Sequence, residues 1–76
     1  MKALVDIKEK DIIITGESMN KIHLRDRERF TILKSIIHDH GELYSGLKLQ
    51  NSCLLGFSNP VVVLFDLSDM NIKKSI

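Results

Sequence analysis

Two groups of side chains in this sequence are of types that could do chemistry. His38, Asp39 and His40 follow one another and could suggest metal ligands, and Cys53 with a histidine could suggest a nucleophile and its base. On a helix, residues two apart point in different directions, whereas paired helical ligands favour spacings of three or four. Cys53 has apolar neighbours and no flanking group that would activate a thiol. We therefore interpret the histidines as a surface pair at a helix end and Cys53 as a buried core residue.

The composition favours a small binding or structural domain over an enzyme. The chain has 76 residues, of which 43% are hydrophobic and 28% charged, with a net charge of +1 and one cysteine. It has no Gly-rich phosphate loop, no nucleophile elbow and no clustered carboxylate pair. We predict one domain over residues 1–76, with no catalytic or metal-binding residues, no cofactor and no small-molecule substrate. The lone cysteine and the lack of a membrane-length apolar run predict a cytoplasmic protein with no membrane partner.

The first third of the chain has the pattern of β-strands. In residues 3–7, Ala3, Val5 and Ile7 lie on one face and Leu4 and Asp6 on the other. Residues 11–16 are rich in β-branched residues, and residues 20–24 alternate again. Runs of this kind, separated by short polar turns, are typical of an antiparallel sheet. The sequence therefore predicts three N-terminal strands. No internal repeat is predicted.

The spacing of apolar residues changes at residue 26. The segment DRERFTILKSIIHDHG, residues 26–41, places apolar residues at helical spacing, with Asp26 as N-cap and Gly41 as the stop. A second, weaker helix is predicted over residues 45–55, and a loop over residues 56–59. These patterns predict an α+β protein.

The last segment, residues 60–75, fits two structures. Val61 to Phe65 form an apolar run of β-branched and aromatic type, which favours a buried strand. Taken as a helix, the same segment places Val63, Leu67 and Met70 on one stripe. Both interpretations are open on the residues alone.

Four matches carry a resemblance to a known family. FTILKSII is similar to a first-helix pattern F-x-L-L-x-x-L, and HDHGELYS is similar to a turn h-P-G-x-x-x-S with Ser45 as the capping serine. The apolar spacing from Leu49 to Leu54 before Gly56 is the third match. FDLSDMNIKK is similar to a recognition-helix pattern V-x-I-S-x-L-R-x-K. In this order the chain resembles the winged helix-turn-helix DNA-binding domain of the OmpR/PhoB response regulators and the ToxR/CadC activators.

The resemblance implies a small N-terminal antiparallel sheet followed by a three-helix, winged-helix-like core that lacks the C-terminal wing. It favours the helix for residues 60–75. It implies a small transcription regulator that binds DNA weakly through phosphate contacts, since only an uneven distribution of charge could supply a basic patch at a net charge of +1. The predicted DNA-binding residues are Lys21, Arg25, Arg27, Arg29, Ser45, Lys48, Lys73 and Lys74.

A second hypothesis is a protein-interaction module on a degenerate winged helix, which dimerises or pairs with another regulator. The outward face of the last helix would be acidic and apolar, and Asp69 and Asn71 stand where the family tends to carry arginines. Carboxylates near phosphates weaken DNA binding, and exposed apolar groups often mark protein interfaces. The predicted interface residues are Val62, Phe65, Asp66, Asp69 and Ile72.

Overall fold

The computed structural model describes residues 3–75, with Glu17 and Ser18 described by their backbone alone, so Met1, Lys2 and Ile76 of the predicted 1–76 domain lie outside it. Within that range the chain is built of eight β-strands and one short 3-10 turn over Lys8–Lys10. The strands are β1 Leu4–Ile7, β2 Ile12–Ser18, β3 Lys21–Asp26, β4 Ile32–Ile37, β5 Leu43–Lys48, β6 Ser52–Phe57, β7 Val61–Asp66 and β8 Asn71–Ser75. The described residues include no helix with the length and apolar character needed to cross a membrane.

The strands form two antiparallel four-stranded sheets, each with its strands in chain order. We call β1-β2-β3-β4 the first sheet and β5-β6-β7-β8 the second sheet. Side chains from both sheets form one buried cluster, in which Ile14, Ile22, Leu55, Val63 and Phe65 are fully buried. The first sheet thus packs on the second through a shared apolar layer, with β1 and β5 in close contact.

The predicted N-terminal strands are confirmed, and the predicted α+β class is wrong. The strands expected at residues 3–7, 11–16 and 20–24 correspond to β1, β2 and β3. The helix expected over residues 26–41 is instead a turn followed by β4. Without helices in the described residues, the three-helix core, the winged helix-turn-helix resemblance and the transcription regulator inferred from it are wrong, as is the degenerate winged helix of the second hypothesis.

The turn at residues 26–31 explains why the first helix does not form. Phe30 has a positive φ of 63°, a left-handed conformation that a helix interior does not accept. Asp26 Oδ1 accepts a hydrogen bond from the backbone N–H of Glu28 at 3.0 Å, so this side chain stabilises a turn where the sequence suggested a helix cap. The β-branched Ile32, Ile36 and Ile37 then continue as an edge strand.

The second and third predicted helices are also strands. Residues 45–55 span β5, a turn and β6, and residues 60–75 span β7, a turn and β8. The alternative interpretation of Val61 to Phe65 as a strand therefore matches the structure. Val63 and Phe65 point into the core while Val62 and Leu64 point away from it, so the apolar run reflects a strand with apolar side chains on both faces.

The two sheets repeat one backbone pattern at a separation of forty residues. Ile14 pairs with Leu24 in the first sheet, and Leu54 pairs with Leu64 in the second. The register shift in the β3–β4 pair follows Leu24, and that in the β7–β8 pair follows Leu64. The prediction of no internal repeat is therefore wrong, because the last three strands of the second sheet repeat those of the first. The first strands correspond at a separation of forty-two, since Val5 pairs with Ile14 and Leu47 with Leu54.

The two sheets pack with opposite faces in contact: the face that the first sheet buries is not the equivalent of the face that the second sheet buries. In β3 the inward residues are Ile22 and Leu24, whereas in β7 they are Val63 and Phe65, one position out of step with the repeat. Since side chains alternate along a strand, the first sheet turns one face toward the second, and the second sheet turns its opposite face toward the first. The face of the second sheet that points outward is consequently the equivalent of the buried face of the first.

Candidate functional site

The candidate site is a face of the second sheet that points away from the first. Its members are aliphatic side chains on three adjacent strands. Leu47 on β5 lies opposite Leu54 on β6, and Leu54 lies opposite Leu64 on β7. Val62 on β7 lies beside them, opposite Gly56. We call Leu47, Leu54, Val62 and Leu64 the outer apolar face.

The outer apolar face is accessible to solvent. Leu47 is 60% exposed and Val62 is 41% exposed, while Leu54 and Leu64 are half-buried by their neighbours in the sheet. Directly opposed side chains on neighbouring strands have Cβ atoms roughly 4.5–5.5 Å apart, so the four side chains form one continuous patch. Contiguous exposed apolar surface is a feature of many protein interaction sites, which makes this patch the candidate site.

Small and charged residues border the patch. Gly56 and Ser45 are paired next to Val62, and a Cβ built on Gly56 would lie 2.6 Å from Ser45 Oγ. Lys74 on β8 lies opposite Leu64, and Asp66 on β7 is paired with Asn71. The apolar patch is therefore bordered on one side by the small residues Gly56 and Ser45 and on the other by the charged residues Lys74 and Asp66.

The outer apolar face matches the buried row of the first sheet. In the first sheet Val5, Ile14, Leu24 and Lys34 lie opposite one another across β1 to β4. In the second sheet Leu47, Leu54, Leu64 and Lys74 do the same across β5 to β8. The apolar members of the first row pack against the second sheet, so the second row has the shape and chemistry of a surface already used for sheet packing.

The outward face of the first sheet carries polar side chains that hydrogen-bond within the sheet, between the exposed apolar side chains of Leu4, Ile32 and Ile37. Arg25 Nε donates to Thr15 Oγ1 at 3.3 Å and Arg25 Nη1 donates to Phe30 O at 2.8 Å. His23 Nδ1 lies 2.8 Å from Ser35 Oγ in a hydrogen bond. The two outward faces therefore differ. On the first sheet polar groups separate the apolar side chains, whereas on the second sheet Leu47, Leu54 and Leu64 follow one another across adjacent strands.

The residues predicted to bind DNA are spread over both sheets. Lys21 and Arg25 lie on β3, Arg27 and Arg29 in the turn after it, Ser45 and Lys48 on β5, and Lys73 and Lys74 on β8. Several of these cations contact acids or carbonyls of the chain. Arg27 Nε lies 2.8 Å from Asp6 Oδ1, Lys48 Nζ lies 2.5 Å from Glu9 Oε2, and Lys73 pairs with Asp69.

Ion pairing shifts the pKa values of these groups. The hydrogen bond from Arg27 holds the pKa of Asp6 below its ordinary value, and Asp6 in turn raises the pKa of Arg27. The hydrogen bond from Asp69 likewise raises the pKa of Lys73.

The residues predicted as a protein interface do not form one surface in the structure. Phe65 is fully buried between the sheets and Ile72 packs partly against the core. Asp69 lies in the β7–β8 turn beside Lys73, and Asp66 is half-buried at the end of β7. Val62 is the predicted interface residue that belongs to the outer apolar face. Sequence reasoning missed Leu47, Leu54 and Leu64. The forty-residue repeat pairs them in sequence with the buried Ile7, Ile14 and Leu24, so their outward position is visible only in the structure.

The two histidines lie in the β4–β5 connection rather than at a helix end. His38 and His40 stack with ring centroids 5.2 Å apart, and the His38 ring centroid lies 4.5 Å from that of Phe57. His38 Nδ1 accepts a hydrogen bond from the His40 backbone N–H at 3.1 Å. Burial and the neighbouring His40 lower the pKa of His38. The described residues contain no group of three or more His, Cys, Asp or Glu side chains that could hold a metal ion.

Cys53 is a core residue, as expected. Its side chain is fully buried on β6, on the side opposite the outer apolar face. Burial raises the pKa of its thiol, which disfavours the reactive thiolate. Comparison with protein-family models, curated proteins and solved structures finds no match to the chain.

Proposed function

We propose that this chain is a non-enzymatic protein-binding module and that it binds its partner through the outer apolar face. The observation that supports this most strongly is the match between Leu47, Leu54 and Leu64 and the buried row Val5, Ile14 and Leu24. A row that packs on a sheet in one copy of the unit is exposed in the other. Burying apolar surface contributes about 25 cal/mol per Å², so a patch of four aliphatic side chains can contribute most of a binding energy.

The architecture supports the same function. Stacked four-stranded antiparallel sheets with a period of about 40 residues are the units of β-propellers and related arrays, which present surfaces to protein partners. The chain would belong to such an assembly as two successive units. The first sheet contributes an outer surface of mixed polar and apolar side chains, and the second sheet contributes the outer apolar face, to which the partner binds.

The test is site-specific photocrosslinking in cells. A photoreactive amino acid replaces Leu47 or Val62 on the outer apolar face, or Leu33 on β4 as a control. Leu33 is a suitable control because it is 59% exposed, almost the same as Leu47 at 60%. The proposal expects a protein adduct from positions 47 and 62 and none from position 33.

The crosslinked protein is then identified, purified and titrated against the chain. Leu47→Glu is expected to weaken binding at least tenfold, about 1.4 kcal/mol, whereas Leu33→Glu leaves the affinity unchanged. Equal losses from both substitutions, or adducts from position 33 alone, would contradict the proposal.

A further inference from the structure

The partner of the outer apolar face follows from how the first sheet is covered. We propose that this face binds a further four-stranded antiparallel unit of the same forty-residue repeat, seated on the second sheet as the second sheet is seated on the first. This proposal rests on the proposed function, because it names the partner of the same face.

The interface between the first and second sheets shows what the further unit must present. The second sheet contributes Leu55, Val63 and Phe65 from its inward face and Leu67 from the β7–β8 turn, all buried in the cluster that both sheets share. The face they cover contains the row Val5, Ile14 and Leu24. Since the outer apolar face repeats this row, the unit that covers it must carry large apolar residues at the positions equivalent to those four.

A second copy of this chain, stacked with its first sheet on the outer apolar face, does not present large apolar residues at the required positions. The positions equivalent to Leu55, Val63, Phe65 and Leu67 in the first sheet, forty residues earlier, are Thr15, His23, Arg25 and Arg27. Stacking a copy would press two guanidinium groups onto Leu47, Leu54 and Leu64. Arg25 donates to Thr15 and Phe30 O, and Arg27 pairs with Asp6. Removing even such paired groups from water against an apolar surface is costly, because the desolvation penalty can exceed the gain from pairing. The occupant is therefore a unit of this repeat with apolar residues at those positions.

Close approach at the existing interface supports a tight sheet-on-sheet contact. A Cβ built on Gly16 would lie 2.7 Å from Leu43 Cβ, and one built on Gly46 would clash with Val5 Cγ2. Small residues therefore let the sheets meet. The outer apolar face also has small residues beside it. Gly56 is paired with Val62 and with Ser45, and a strand of a further unit could approach closely there.

The decisive experiment supplies the missing unit within one chain. Residues 37–76 are appended a second time after Ile76, which preserves the natural connection because Ile36 and Ile76 are equivalent in the repeat. The appended unit then offers Leu55, Val63, Phe65 and Leu67 to the outer apolar face. The extended chain and the original are unfolded in urea and compared by circular dichroism.

The proposal expects the extended chain to unfold in one transition, at a midpoint about 1 M urea higher than the original chain. Leu47→Glu in the second unit, or Phe65→Arg in the appended unit, is expected to abolish the increase. Leu33→Glu serves as the matched control and is expected to retain it, because β4 lies outside the new interface. Each substitution is also made in the original two-sheet chain, whose urea unfolding shows whether the variant still folds.

Two results of the unfolding and sedimentation experiments would overturn this inference. One is a separate transition of the appended unit, with its digestion by protease while the first two sheets stay intact. The other is a dimer of the unextended chain in sedimentation that Leu47→Glu dissociates and Leu33→Glu does not, because the occupant would then be a second copy. A crosslinked partner of a different fold would leave the proposed function standing and remove this inference alone.

Discussion

Asp26 and Asp66, forty residues apart, make the same hydrogen bond in the two equivalent turns. Oδ1 of Asp26 accepts the backbone N–H of Glu28 at 3.0 Å, and Oδ1 of Asp66 accepts that of Ser68 at 2.7 Å. Each turn then has a residue with positive φ, Phe30 at 63° and Met70 at 55°. The repeat therefore extends from the strand register to the side chains that close the turns.

We expect Asp66→Ala to lower the free energy of unfolding by about 1 kcal/mol, since the amide it caps loses its acceptor. Asp66→Asn keeps an acceptor oxygen and should lower the free energy of unfolding by a smaller amount. Urea unfolding of both variants measures the difference, and Asp26→Ala is expected to repeat the effect in the first sheet. A loss from alanine no larger than that from asparagine would show that the acceptor oxygen of this side chain does not stabilise the turn.

Gly46 lies where β5 approaches β1, and a side chain there would meet Val5. Gly46→Ala should destabilise the protein by about 1–3 kcal/mol, because the added methyl overpacks the contact between the sheets. Gly56→Ala is the control, since its methyl would meet the Ser45 side chain on the outward face instead. A double-mutant cycle with Val5→Ala should show favourable coupling, and additivity would contradict the contact.

The Glu9–Lys48 ion pair joins the two sheets at the end of β1 and the end of β5. The hydrogen bond from Lys48 holds the pKa of Glu9 below its ordinary value of 4.5. A lowered carboxyl pKa means that the contribution to stability is present above 4.5 and is lost as pH falls through the lower folded-state value.

Unfolding of wild type and Glu9→Gln should therefore differ near neutral pH and converge in acid. Glu28→Gln, in the β3–β4 turn, is the control for a surface carboxylate. A difference between wild type and Glu9→Gln that does not change with pH would refute the ion-pair account.

His38 should titrate below its ordinary pKa of 6.5, because burial beside Phe57 and the neighbouring His40 disfavour its charged form. For a histidine with a lowered pKa, stability is present above 6.5 and falls as pH drops toward the folded-state value. NMR titration of the imidazole measures the pKa directly. His38→Phe is expected to remove part of the decline in stability between about pH 7 and 5. A His38 pKa above 6.5 would contradict this.

The sequence was sufficient for the strands whose alternation is strict. Residues 3–7 alternate cleanly, and residues 11–16 are dense in β-branched side chains, so β1 and β2 were predicted close to their observed positions. FTILKSII was ambiguous because Leu33, Ile36 and Ile37 fit a helical stripe as well as an edge strand with apolar residues on both faces. The choice depends on the left-handed Phe30 in the turn before it, a conformation that the residue type does not favour.

The repeat, but not the candidate site, could have been found from the sequence. Asp26, Ile32, Lys34, Ser35 and Ile36 are identical to the residues forty positions later. Comparing the halves pairs Phe65 with Arg25, which lies on the outward face of the first sheet, so it would not have shown Phe65 as an inward residue. The stacking direction, however, is visible only in the structure, because it depends on which face of each sheet the chain buries.

The most direct test of the central claim is an NMR measurement on the chain extended by residues 37–76. Leu24 of the first sheet and Phe65 of the second belong to one buried cluster. By equivalence, the methyl groups of Leu64 should show nuclear Overhauser effects to the ring of the appended copy of Phe65. Such contacts, lost on Leu47→Glu and kept on Leu33→Glu, are the predicted result. Leu64 methyl groups that stay solvent-exposed beside a folded appended unit would contradict the account.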